Sequence, residues 1–456
     1  MHKAIAWAGA LGLLAFAAPA LAHTVDCNRD SDRLQDALSR LERGAALTIL
    51  GNCVGNVTIA TDGVSLVAHP KGGSITGQVE VTAQRVSISG VSILGPEPSD
   101  GTIIRGGLFA HDGASVSYTD GTIANHTANG VFASRGASIT VSASHIIGNG
   151  TARIPNEADG VSAVDSGAVL LGRADANNDA IAAAGVEVAG NAVRGVLAAR
   201  SGSVRILAGN VHDNGSQAVQ AAFGASIAIT GGTFSVPTPT VGVAPDVILA
   251  VLGSAIDMQN LSGNGVGTIT GTATVTGSAG GVIAADSATV RMRNVTVTSS
   301  GNRNVDPAVG AFRGASLHME GANTVQNTNI AGAGWAIELA DSGTLRIDDS
   351  SGFPSAPNQL SGAIGIFDLS SMRIADLNPA SSIAGSVTVS VNSLLSLQRA
   401  SISGDIIMVG PSTLNAGPGP IAFTGTLRCV SATLNPPSTP SLIGVPALFN
   451  PPSTGC

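Results

Sequence analysis

From Gly130 to Val141 the chain reads GVFASRGASITV, with apolar residues two apart on either side of one break. With Arg135 as the pivot, Val131 stands four residues before it, Ala133 two before, Ala137 two after, Ile139 four after and Val141 six after. The phrase recurs without an internal gap at Asp112, Asp165, Arg200, Phe223, Leu252, Asp286, Arg313, Asp341, Asp368, Val391 and Gly410. Four before each pivot comes a branched or long apolar residue, from Leu108 through Val161, Ile248 and Ile337 to Ile406. Two after each comes Gly, Ala or Ser, and four after each the apolar residue returns, from Val116 to Leu414. A two-residue period predicts short strands with one buried face. Small residues just past the break let stacked backbones come close.

Successive pivots lie 19 to 35 residues apart, with no helical pattern between them. Such a period predicts a solenoid in which each copy is one coil of about three short strands. The expected fold is all-β, a right-handed parallel β-helix. At about 4.8 Å per coil, its coils would stack into a rod of roughly 60 to 75 Å.

The two ends break the pattern. In Ser31–Glu42, Leu34, Ala37, Leu38 and Leu41 share one helical face, with Asp32 and Gln35 as the capping pair and Gly44 as the stop. This predicts an N-terminal helix that covers the open end of the solenoid and protects its strand edges. Leu47–Gly77 resumes the alternation, with turn signals at Gly51-Asn52 and Asp62-Gly63. From Cys429 the chain becomes Pro-rich, which predicts a wrapping tail in which Leu442, Ile443, Val445 and Leu448 cover the last coil. Residues 1–22 combine Lys3, an apolar run and Ala20-Leu21-Ala22, the pattern of a signal peptide cleaved after Ala22. The expected organisation is signal peptide 1–22, cap 23–46, β-helix 47–428 and tail 429–456.

The order strand, Gly-x-Cys, Asn-Val-Thr-Ile, Asp-Gly-Val-x-Leu in Leu47–Leu66 resembles the first coils of secreted β-helix proteins of the pectate-lyase-like superfamily. The pivot phrase is also similar to repeats in bacterial autotransporter passenger domains. Together the resemblances cover nearly all of the chain after residue 22. They imply the fold, and a range of functions from lyases and hydrolases to adhesins. An Arg-x-Pro-x-x-Arg setting, which the enzymes of the superfamily would imply, is matched only by the fragment Arg153-Ile154-Pro155.

Composition narrows the partners. Charged residues make up 11% of the chain, the formal net charge is −8 and no basic stripe appears, so nucleic acid is not an expected partner. Beyond the leader no stretch is apolar and long enough to span a bilayer. An exported monomer is expected, in the periplasm, at the cell surface or secreted. The four cysteines fall into two distant pairs, Cys27 with Cys53 and Cys429 with Cys456, which predicts a disulfide staple at each end.

Long coils carry insertions at Thr151–Asp159, Arg173–Arg194, Ser235–Pro245, Gly301–Pro307 and Ser351–Gln359. Insertions at one phase of a solenoid line one side and often wall a binding surface. Acid-base work on a glycoside needs paired carboxyl groups, and a lyase also needs a cation beside the uronate. The nearest candidates are Glu157, Asp159 and Arg173 for catalysis, with Arg153, Asp175, Asp179 and Arg194 for ligand binding. Asp175, Asn177 and Asp179 have the alternate spacing of a calcium loop, but Ala180 and Val186 stand where its Gly and bidentate Glu belong. Calcium is thus the one cofactor weighed.

The eight histidines show no metal-ligand spacing. The pivots alternate in sign along Asp112, Arg135, Asp165, Arg200 and along Asp286, Arg313, Asp341, which predicts a surface ion ladder between coils. The expected function is an elongated surface for binding or adhesion, to polysaccharide or to a surface partner. The alternative is a polysaccharide lyase or glycoside hydrolase beside the loops at 151–194.

Overall fold

The computed structural model describes residues 23–97, 103–150, 158–175, 180–237, 246–259, 273–277, 280–299, 307–328, 334–348, 357–375, 381–417, 419–430 and 440–444. The protein is a right-handed parallel β-helix, nearly all strand, with one α-helix among the described residues. Each coil contributes one strand to a 15-stranded sheet and, past the pivot, up to two strands to a 28-stranded sheet. In the Arg135 coil these are Asn129–Ala133, then Ser138–Ser142 and Ser144–Ile147.

The phase read from the sequence is the register of the sheets. In the smaller sheet Leu108 pairs with Val131, Val131 with Val161, Val161 with Val196, and so on through Ile364, Val387 and Ile406. In the larger sheet the residues four past the pivots stack likewise, from Val116 on Ile139 to Leu395 on Leu414. These two files point inward and form the core, where Val131, Val161, Ile139, Leu395 and Leu414 are wholly buried.

Every pivot adopts the left-handed conformation, from Asp112 at φ 55° and Arg135 at 49° to Val391 at 53° and Gly410 at 62°. At eleven of the twelve, from Asp112 to Val391, the next residue also takes positive φ, and the chain turns sharply there. Gly113, Gly136, Ser166 and Ser201 are examples of the second residue. Asp tolerates this region and Val does not, so the sequence meets the turn with unequal ease. The small residue two past the pivot is a steric demand: a Cβ on Gly202 would lie 2.0 Å from the carbonyl oxygen of Ala163 on the preceding coil. The corner between the two larger-sheet strands is also left-handed, at Ala143, Ala208 and Asn294.

Asparagine side chains fill the polar end of the interior. Asn149 Nδ2 donates to Asn191 Oδ1 at 3.0 Å, and Asn191 Nδ2 donates to Asn214 Oδ1 at 2.8 Å. Asn323 and Asn358 repeat the arrangement at 2.9 Å. All five are buried, so each amide satisfies a neighbour that water cannot reach.

The capping helix spans Arg33–Ser39, with Leu34 and Leu38 buried on the first coils. Asp32 makes no side-chain capping bond. Gln35 instead closes the sheet edge: its Oε1 accepts from the Thr58 amide at 2.7 Å, and its Nε2 donates to the Thr58 carbonyl at 3.4 Å. The side-chain amide stands in for the strand that would come before Val57–Ile59. Gly51-Asn52 forms no separate turn but a bend within the continuous strand Ala46–Val54, where the register shifts.

Cys27 and Cys53 form a disulfide with a Cα–Cα distance of 5.0 Å. Cys429 is also disulfide-bonded, and its expected partner Cys456 lies outside the described residues, as do residues 1–22, Val445 and Leu448. The tail contributes one strand, Ser441–Ile443, paired on Thr413–Ala416, with Leu442 against the core and Ile443 exposed. No helix among the described residues is long and apolar enough to cross a membrane.

Candidate functional site

The first larger-sheet strand of each coil turns its alternate side chains outward. Five residues past the pivots the outward file reads Leu170, Arg205, Ala228, Asp257, Arg291, His318, Arg346 and Arg373, each paired with the next in register. Three past the pivots the neighbouring file is small, with Ala168, Ser203, Ser226 and Ala255. Short side chains beside long ones make a trough of about 550 Å³, whose wall steps from Arg205 over Ala228 to Asp257.

At one end of the trough a dense ion network spans three coils. Glu320, nearly fully buried, accepts from Arg291 Nη2 at 2.7 Å and from Arg293 Nε at 3.1 Å through the same oxygen, Oε2. His318 lies between two carboxylates, with Nε2 2.8 Å from Asp348 Oδ1 and Nδ1 3.4 Å from Glu320 Oε1. Arg346 Nε donates to the other oxygen of Asp348. Asp257 is different. Its Oδ1 is buried with no hydrogen-bond partner among the described residues, and burial pushes its carboxyl up against the pull of Arg291 and Arg293.

His318, Glu320 and Asp348 bring one donor atom each within 4.8 Å of the others, close enough to share a metal ion. Three guanidiniums already hold the two carboxylates. Adding a cation there sets like charges side by side, which disfavours a metal ion.

Of the residues proposed from sequence, Asp159, Arg173, Asp175 and Arg194 do not line the trough. Arg153, Glu157, Asn177 and Asp179 fall outside the described residues. Asp159 is wholly buried at the entrance to the smaller sheet, paired with Arg194 Nε at 2.7 Å, while Arg194 Nη1 donates to Gln220 at 2.9 Å. Burial raises the Asp159 carboxyl and Arg194 offsets this. Arg173 and Asp175 are exposed, beside an antiparallel bridge between Ala174 and Ala180. Only part of Arg173–Arg194 is an insertion, since Val186–Ala189 is a regular strand paired on Ser144–Ile147. Likewise Ser351–Gln359 leads into Gln359–Ser361, a larger-sheet strand, and the strand that enters the Asp368 pivot comes after it.

No protein-family model matches the chain, and no curated protein matches it in sequence.

The pivot ladder is present. Arg135 Nε is 2.9 Å from Asp112 Oδ1, Arg200 Nε is 2.7 Å from Asp165 Oδ1, and Arg313 Nη2 is 3.1 Å from Asp286 Oδ2. Phe109 and Phe132 meet at 5.4 Å between ring centroids with their planes tilted by 42°, on the outer side of the smaller sheet. Apolar periodicity does not mark the trough, whose residues are the outward ones. The signal lay in the same alignment, where six of seven consecutive coils place Arg, Asp or His five residues past the pivot.

Proposed function

We propose that the protein is an exported β-helix that binds a polysaccharide across the outer face of its larger sheet, and that the polysaccharide carries acidic groups. The observation that carries this reading is the file Arg205, Asp257, Arg291, His318, Arg346 and Arg373, with its floor of Ser and Ala. A repeating polymer suits a surface that offers one long polar side chain every coil, about 4.8 Å apart. The pivot pairs answer each Arg with an Asp. The trough instead gathers Arg291, Arg293 and Arg346 around Glu320 and Asp348, with His318 beside them and Arg205 and Arg373 further along the file. Aromatic residues are only 3% of the chain and Tyr118 is wholly buried. Sugar recognition then rests on ion pairs and hydrogen bonds, and binding weakens as salt is added.

A second reading is favoured by Asp257 alone. A carboxyl whose pKa burial raises is the kind of group a glycoside hydrolase uses to protonate a leaving group. An enzyme of this chain would then work in the trough, not beside residues 151–194.

The experiment is a polysaccharide array probed with purified protein, with and without calcium, and scored for binding and for released reducing or unsaturated ends. Retention on uronate-bearing or sulfated polymers, lost as salt approaches about 1 M, is the expected result. Product release that Asp257→Asn abolishes would establish the enzyme reading. Silence on every acidic polymer would overturn both.

A further inference from the structure

A separate cluster occupies the outer face of the second larger-sheet strands. His145 lies opposite Glu187, Glu187 lies opposite Asn210, and two residues on Ala189 lies opposite His212. Glu187 holds an imidazole on each oxygen: Oε2 is 2.7 Å from His145 Nδ1, and Oε1 is 3.1 Å from His212 Nε2. The other ring nitrogen of His212 is 2.9 Å from Asp213 Oδ2. A cavity of about 480 Å³ opens beside the group, lined by Ala143, His145, Gly185, Glu187, Ala208 and Asn210.

The electrostatics differ from those of the trough. The groups that hold the Glu187 carboxyl below its ordinary value, against burial, are His145 first and then His212, with no guanidinium among them. His212 feels Asp213 and Glu187, which raise it against the effect of burial. Asn210 and Thr122, which flank Glu187 and His145 in register, carry no charge. Two carboxylates and two imidazoles therefore share a patch that attracts a cation.

We propose that His145, Glu187 and His212, with Asp213 orienting His212, form a site for a divalent transition-metal ion of the zinc class. Two imidazole nitrogens and a carboxylate oxygen are the donors such ions take, with ligand bonds of about 2.0 to 2.2 Å. A carboxylate on the far nitrogen of a ligating imidazole fixes its tautomer and raises its basicity, and Asp213 stands there. Both rings now sit on different oxygens of Glu187, so binding requires them to rotate toward one point, and both are partly exposed. The cavity leaves a remaining coordination position open to water or ligand. Sequence spacing hides the set, because Glu187 lies 42 residues from His145 and 25 from His212.

The test is titration of the intact protein with Zn²⁺ by calorimetry, together with Co²⁺ absorption as a readout of coordination geometry and thermal melts of each variant without metal. Saturable uptake with tetrahedral cobalt bands is expected, weakened at least about tenfold in His145→Ala, His212→Ala and the isosteric Glu187→Gln. His69→Ala, on a distant N-terminal coil, should bind as the parent does. Absence of saturable uptake, uptake unchanged by these three substitutions in folded protein, or equal loss in His69→Ala would each overturn the proposal.

Discussion

Asp257 and Arg291 stand opposite each other on neighbouring coils, yet Arg291 donates to Glu320 at 2.7 Å while Oδ1 of Asp257 is buried with no hydrogen-bond partner among the described residues. Burial is the largest influence on Asp257, and the Glu320 charge adds to it. Because the folded state penalises the ionised form, the cost appears as pH rises above the unfolded carboxyl range and vanishes in acid. Asp257→Asn should therefore stabilise the protein by about 1 kcal/mol near neutral pH and by nothing below the unfolded pKa. Chemical denaturation at the two pH values measures this, and equal effects at both would count against the assignment.

Val391 occupies a pivot at φ 53° with its side chain half exposed. A β-branched residue in this region is strained, while Gly and Asn adopt it readily. Val391→Gly and Val391→Asn should each raise stability by roughly 1 kcal/mol. The same changes at Asp341, where the turn already holds a residue that tolerates it, should have little effect on the denaturation midpoint.

Glu97 sits against His126 with its Oε1 2.8 Å from Nδ1, and its other oxygen accepts from the Thr127 amide and hydroxyl at 3.2 and 2.8 Å. Burial alone would raise its carboxyl, but His126, its own backbone and Thr127 bring it down from 4.5 to about 2. A depressed carboxyl contributes stability that is present above its unfolded pKa. That contribution is lost as pH falls from about 4.5 toward 2. The melting temperature of the parent should fall across this window more steeply than that of Glu97→Gln, which lacks the titrating group.

Much of the fold is legible in the sequence because a coil repeats its own phase. Once Val131 is aligned with Leu108 and Val161, the register, the core and the corner at Arg135 follow together. The left-handed geometry of the pivots was less visible, since Arg135, Phe223, Leu252 and Val391 are not residues that announce it. Chemistry was harder still. Arg291, His318 and Arg346 touch through coils whose loops differ in length, so their proximity is a property of register and not of spacing. Insertions drew attention to Asp159, whose carboxylate faces inward to Arg194 and holds the chain where it enters a strand. Gln35 shows the same limit. Its place near Asp32 suggested a helix cap, whereas its amide completes a sheet edge 23 residues away.

The most direct test of the binding surface is a titration with acidic oligosaccharides of increasing length, run on the parent, on Arg346→Ala and Arg373→Ala, and on Arg173→Ala. Affinity should rise with length until the ligand spans the file, and fall about tenfold on loss of Arg346 or Arg373, while Arg173→Ala binds as the parent does. Affinity that is indifferent to Arg346 and Arg373 but collapses with Arg173 would place the ligand beside the insertions and contradict this account.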